Sequence, residues 1–410
     1  MGESDMATAT QPVSQRPSLL KFLLEEIKPK GPLVTPFNIA AMMIVFGGIV
    51  ILVIRFWKGL GAVTNLSQSY PWGIWIGLDV VTGVAFAGGA YIITFAVYVM
   101  RAERFRPIVR ATVLNGFLSY MFYAGALVFD LGRPWHIINP MIGNKFGYNS
   151  VMFLVAWHFF LYMMSELLEF SPAIAQWLNL EKARRFLSKM TLGVVIFGFA
   201  VSSLHQSGLG ALFLFSKPKI HPLWYTEFLP VLFFVSSIFA GISMIIFEGT
   251  LSHRVFRGQI DPKRHASFDD ILIALAKGAA ITMYLYIFVK IAIIVHAEQW
   301  HYLLTGWGAW FLVELLIFTL VPCAMFTQGF RERRVGLIKA AAIMTLLGIL
   351  LNRLNVSLIA FNWNSPSPQY IPTIWEIWLT LMVITVEIVT FRWIANRMPV
   401  FTDEIPKRQN

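Results

Sequence analysis

Residues 71–99 read PWGIWIGLDVVTGVAFAGGAYIITFAVYV. The run is long enough to cross a bilayer, whose hydrocarbon core takes about 20 apolar residues of helix. It carries one charge, Asp79. An ionised Asp at the centre of such a helix costs at least ~2.5–3.5 kcal/mol, so the carboxylate must face a partner, water or a ligand.

The same kind of run recurs along the chain. Ten of them, bounded by charge, Pro or Gly, lie near 37–57, 72–99, 108–129, 148–170, 189–215, 226–248, 271–296, 303–327, 336–357 and 372–396. Of the 410 residues, 57% are hydrophobic and only 13% charged. Soluble domains carry roughly 25% charge. The fold class is therefore an all-α integral membrane protein of ten transmembrane helices, read here as one membrane domain. Residues 1–36 form an N-terminal segment with a weakly amphipathic piece, SLLKFLLEEIK, and no recognisable signal peptide or twin-arginine leader. Residues 37–327 make an eight-helix core, 328–399 two additional helices, and 400–410 a tail.

Lys and Arg alternate along these connections. The N-terminal segment, the second, fourth, sixth and eighth connections and the C-terminal end carry 24, the remaining connections 7, and Lys277 and Lys290 fall inside the seventh span. The positive-inside rule then puts both termini in the cytoplasm of a bacterial inner membrane protein. The net charge of +11 is thus a topology signal, and nucleic acid is not a partner. One cysteine, Cys323, excludes an internal disulfide, a CxxC zinc site and a chain-bound iron–sulfur cluster. Electrons, if they pass here, must be brought by another subunit.

Orientation converts sequence position into depth. Asp79 lies about seven residues, or ~10 Å, below the outer surface. His158 on span four, His205 on span five, and Tyr120 and Tyr123 on span three fall in the same outer half, beneath an outer loop DLGRPWHIINP that carries Asp130, Arg133 and His136. Convergent polar groups at one depth suit quinone redox. A quinone enters from lipid, its carbonyls need hydrogen-bond donors, and its reduction takes two electrons and two protons. A His or Tyr can donate, and an Asp or second His can relay protons. Two other readings stand beside it. His158 and His205 at similar depth could hold one haem b, and a secondary transporter could use the Gly interruptions as broken helices. Deeper charges, Glu248, Lys277 and Glu314, could form a proton path or hold helices together. Glu166 and Glu169 read as a solvated end of span four.

Three motifs together, PWGIWIGLD at 71–79, DLGRPWHIINP at 130–140 and SSLHQSGLG at 202–210, resemble the NrfD/polysulfide-reductase membrane-subunit family, most nearly its branch of Ni/Fe-hydrogenase cytochrome b subunits (HybB-like). The resemblance covers roughly residues 35–400. It implies two four-helix bundles plus two extra helices and a quinone pocket near the periplasmic face, with menaquinone or ubiquinone as the redox partner and no haem. Asp79, Tyr120 and His205 match pocket positions, with Tyr123, Arg133 and His158 as further binding candidates, and Glu248 matches an acidic position tied to proton transfer. The implied partners are a periplasmic four-cluster ferredoxin-like iron–sulfur subunit and a catalytic or multihaem cytochrome c subunit. No metal is bound by this chain. One departure touches the proton route: hydrogenase-linked relatives tend to carry Glu early in span four, in a stretch resembling MFEVA, where this chain has MFLVA with Leu154.

Reporter fusions test the orientation. Fusions at Lys263 and Arg333 are expected to report cytoplasm, and fusions near Asn144 and Lys219 periplasm. A reversal would place the pocket on the other face.

Overall fold

Thr35, Ser150, Thr305 and Thr373 each accept a backbone N–H from the first turn of the helix that follows, from Asn38, Phe153, Gly308 and Glu376 at 3.1, 3.1, 3.1 and 3.2 Å. These hydroxyls satisfy amides that lipid cannot. The computed structural model describes residues 19–142, 147–365 and 369–402, so Asn144 lies outside the described residues. Ten helices are long and apolar enough to span a membrane: α1 (Pro36–Lys58), α2 (Trp75–Tyr98), α3 (Glu103–Asp130), α4 (Val151–Trp177), α5 (Glu181–Ser216), α6 (Leu229–Val255), α7 (Arg264–His296), α8 (Gly306–Arg331), α9 (Val335–Ile359) and α10 (Ile374–Ala395). Among the described residues no strand forms; one isolated bridge joins Ile220 and Phe361.

Helices α2–α5 pack on one another as one four-helix bundle and α6–α9 as a second, while α1 and α10 pair with each other and α10 lies against α3. The packing therefore divides the chain differently from the expected boundary at residue 327. Helix α9 is a full member of the second bundle, and the two peripheral helices are α1 and α10. The reason is steric. Gly47 and Gly48 on α1 leave space that the side chains of Trp378 and Met382 on α10 fill, and Trp378 Nε1 donates to the Ile44 carbonyl at 3.0 Å. Arg55, buried near the end of α1, donates from Nε to the Phe129 carbonyl at 2.8 Å and from its guanidinium to the Leu131 carbonyl, tying α1 to the last turn of α3.

The two bundles meet where α2 crosses α6. A Cβ on Gly241 would sit 2.2 Å from the Gly89 amide nitrogen, and one on Gly89 would sit 2.8 Å from the Gly241 carbonyl oxygen. Backbone touches backbone here, the close approach that small residues permit between membrane helices. At the end of the molecule with few cations, His221 plugs the mouth of the second bundle. Trp224, Tyr302, Trp307 and Trp363 surround its ring at 5.6, 5.3, 5.3 and 4.6 Å, and burial pushes its pKa down to about 4. At the opposite, basic end, a short helix, Leu19–Ile27, is held by Arg397, which donates to the Glu26 and Lys28 carbonyls at 2.6 and 2.8 Å.

The α2–α6 crossing gives a direct test. Gly241→Val adds volume against backbone that has nowhere to go, an overpacking cost of roughly 1–3 kcal/mol or more. Its thermal midpoint in detergent is expected to drop by several degrees. Gly336→Ala, where a Cβ meets open space, is expected to leave the midpoint unchanged. Equal midpoints for both variants would remove the crossing as a constraint.

Candidate functional site

Helix α2 begins with a π-helical turn, Trp75–Val80, and this turn carries Asp79. Such widened turns recur at functional sites because they re-aim side chains that a regular helix would stack. Asp79 is fully buried; its Oδ2 accepts from Thr380 Oγ1 on α10 at 3.1 Å, and its Oδ1 has no partner. The turn is held from outside, Trp75 Nε1 donating to the Glu376 carbonyl at 3.0 Å. Tyr123 on α3 packs against Gly83, where a Cβ would come within 2.5 Å of its ring, and neighbours Asp79 and Glu387. Arg133 is exposed on the loop beyond α3 and does not reach this site. The cation beside Asp130 is Arg55, near the end of α1.

A second cluster gathers around Tyr120, one turn before Tyr123 on α3. Tyr120 is fully buried, stacked on Phe159 at 5.5 Å, edge-on to Tyr162 at 4.8 Å and 5.7 Å from the His205 ring, with its hydroxyl toward Ser202 and Gln206. His205 Nδ1 lies 3.2 Å from the Val155 carbonyl oxygen. A carbonyl only accepts, so the ring proton is on Nδ1 and Nε2 is left as a buried acceptor without a partner. His158, one turn beyond Val155 on α4, is half-buried with an unpartnered Nδ1. No described contact joins Asp79 to His205. The expected pocket residues thus form two clusters that share α3, one through Tyr123 and one through Tyr120.

The deeper charges part company. Glu248 on α6 lies beside Asn115 of α3 and Glu387 of α10. Lys277 is exposed on the outside of α7. Glu314, in a second π-helical turn, Val313–Leu320, is enclosed in the second bundle, where it accepts from Trp224 Nε1 at 2.7 Å, Asn352 Nδ2 at 2.7 Å and Asn355 Nδ2 at 2.5 Å. The three therefore do not make one path, because α7 turns Lys277 away from both carboxylates. Lys290 and Arg353, both buried, accompany Glu314 instead: Lys290 lies over Phe311 at 5.2 Å, and Arg353 over Phe233 at 3.7 Å with a bond to Ser236 Oγ at 2.7 Å.

Glu166 was expected at a solvated helix end and is not. Helix α4 runs on to Trp177, so Glu166 lies within it, 1% exposed, with neither carboxylate oxygen hydrogen-bonded. It fits because Gly116 faces it; a Cβ there would stand 2.3 Å from Oε1. Among the described residues no group of three or more His, Cys, Asp or Glu could hold a metal ion.

Comparison with known proteins places these features. The family model described as polysulphide reductase, NrfD, matches residues 62–361, which take in α2–α9 and leave α1 and α10 outside. A protein of Nitratidesulfovibrio vulgaris is 42% identical over 369 residues, covering 90% of this chain and 95% of that one. The probable Ni/Fe-hydrogenase 2 b-type cytochrome subunit of Escherichia coli is 27% identical over 380 residues, covering 91% and 94%. The integral membrane subunit of menaquinone reductase from N. vulgaris is 25% identical over 394 residues, covering 85% and 87%. The name of the E. coli relative overturns the expectation that haem is absent, since it describes a b-type cytochrome. The donor chemistry here is compatible with that cofactor: His158 Nδ1 and His205 Nε2 are buried imidazole nitrogens with no partner, on adjacent helices. A ten-helix membrane protein whose residues 62–361 match this family model over most of its length, the chain belongs to the NrfD family.

Proposed function

We propose that this chain is the quinone-reactive membrane subunit of a multisubunit respiratory oxidoreductase. The carrying observation is the set of buried polar atoms without partners around the Tyr120–His205 cluster of the first bundle: the Tyr120 hydroxyl, Ser202 Oγ and His205 Nε2. Buried polar groups are normally bonded, and a cluster of exceptions in an aromatic-lined interior suits a ligand with two oxygen functions. The relative named as the membrane subunit of menaquinone reductase supports the same substrate class.

The residues divide the chemistry. A quinol bound among Tyr120, Phe159 and His205 can donate one hydroxyl to His205 Nε2, whose tautomer is fixed for accepting. A quinone carbonyl at the same place would accept from the Tyr120 hydroxyl. Aromatic rings hold the flat head group and exclude water. Asp79, with one oxygen fixed by Thr380 and one open, exchanges protons with that pocket by way of Tyr123. Electrons leave or arrive through a partner subunit, for which an iron–sulfur protein and a catalytic or cytochrome c subunit are the proposed sources. The cation-poor end faces the periplasm of a bacterial inner membrane in this reading, because the connections at the other end carry the Lys and Arg excess.

A second reading rests on the E. coli relative's name: haem b would be held by His158 and His205 and would supply a one-electron carrier. A reduced-minus-oxidised difference spectrum carrying a b-type band, lost in both His158→Leu and His205→Leu, is its test.

Asp79→Asn keeps the size and the bond to Thr380 but removes proton exchange. Quinone-linked turnover of the assembled complex is expected to fall about 10²-fold or more, with artificial-dye activity of the partner unchanged. Normal quinone turnover per assembled complex would make Asp79 a structural group.

A further inference from the structure

Helix α10 lies outside the stretch that matches the family model, yet it lines the Asp79 site. Two of its side chains reach buried groups of the first bundle. Thr380 Oγ1 donates to Asp79 Oδ2 at 3.1 Å, and two helical turns further on, Glu387 Oε1 accepts from Ser119 Oγ at 2.5 Å. Glu387 is 7% exposed and Asp79 is not exposed at all.

The facing surface of α3 explains how these groups line up. Asn115, Ser119 and Tyr123 recur every four residues, which puts them on one helical face. Each meets a carboxyl group: Asn115 lies beside Glu248, Ser119 bonds to Glu387, and Tyr123 lies between Glu387 and Asp79. The stripe is sealed on its flank by Val383 against Tyr123 and Ala126, with Phe122 and Phe129 packed alongside. Three carboxyl groups therefore follow one another from the depth of Asp79 to that of Glu248, with hydroxyl or amide side chains between them.

Charge makes the row unusual. Among the described residues none of the three forms a salt bridge. The titratable groups acting on the row are Tyr123 and Asp130 on α3 and the three carboxyl groups themselves. Cations on the same elements are engaged elsewhere: Arg55 of α1 with the carbonyls at the end of α3, Arg110 of α3 with the Pro399 and Thr402 carbonyls, and Arg392 of α10 with Asn38. Carboxyl groups buried close together without cations cannot all be ionised; they hold protons and exchange them. Asp79 Oδ1, unbonded, gives the row an open end at the pocket.

We propose that α10 completes a proton path in which Glu387 relays protons between Asp79 and Glu248 along the α3 stripe. The proposal deepens the quinone reading and rests on it. It replaces the expected Glu248–Lys277–Glu314 route, which the packing does not form. In each step an O–H bond on one carboxyl group breaks as one forms on the next, and the row returns to its starting state when a proton has entered at one end and left at the other. The two electrons of the quinone couple travel separately to the redox partner.

The test uses the complex purified from membranes and two readouts on Glu387→Gln. Binding of a quinone analogue and dye-linked activity of the partner are expected to persist, while quinone-linked turnover falls about 10²-fold, the scale of a lost proton-exchanging group. In the redox-induced infrared difference spectrum, a protonated-carboxyl band present in the wild type is expected to vanish. Glu387→Asp should restore part of both signals. Should Glu387→Gln fail to assemble, Ser119→Ala retains the carboxyl group and is expected to shift that band. Unchanged turnover and an unchanged band in Glu387→Gln, or an unmoved band in Ser119→Ala, would overturn the relay. A wild-type complex that binds no quinone analogue would overturn the quinone reading itself, a distinct result.

Discussion

A carboxyl group at membrane depth with no cation to answer it is the condition around which this molecule is arranged. Asp79 is fully buried, bonded once, and closed off from lipid by α10. Were α10 absent, that group would face hydrocarbon at a cost of several kcal/mol. The peripheral pair of helices follows from this need. Trp75 anchors the widened turn of α2 to the first turn of α10, and Thr373 and Glu376 cap that first turn reciprocally. Helix α1 then holds α10 in place through the clefts at Gly47 and Gly48, and Arg55 locks α1 to α3.

The two bundles handle buried charge in opposite ways. In the second, Glu314 is surrounded by three donors and accompanied by Lys290 and Arg353, a closed network whose members answer one another. Such a network rigidifies the helices that carry it. In the first, Asp79 and Glu166 have no ion pair among the described residues, nor do Glu387 of α10 and Glu248 of α6, which face it across α3, and His205 presents an open acceptor. Groups left unanswered cost stability and are kept where protons or ligands visit. In the proposed reading, chemistry belongs to the first bundle and the carboxyl groups that face it, and mechanical stability to the Glu314 network of the second.

Span number and element type were legible in the sequence, since ten apolar runs bounded by charge coincide with ten helices and depth follows from a fixed rise. Asp79 stood out because one carboxylate in a run such as PWGIWIGLD has no other reason to be there. Tyr120 and His205, read at one depth, are ring neighbours at 5.7 Å. What depth could not give was azimuth. Two residues at one level can face opposite sides of a helix, so Asp79 and His205 fall into separate clusters and Lys277 turns outward. Helix ends misled in the same way. Glu166 was read as a solvated end of span four because charge was taken to end a span, whereas it is buried inside the packing. The signal that would have rescued Glu166 is the glycine opposite it, Gly116, which is visible only once α3 and α4 are paired.

The claim that the first bundle binds quinone head groups is tested most directly by photolabelling the intact complex with an azido-quinone and mapping the modified peptides. Label competed away by excess menaquinone analogue is predicted on segments 71–83, 116–126 and 155–162 or 199–210. Competed label confined to α6–α9, or label that excess analogue does not displace, would contradict the account.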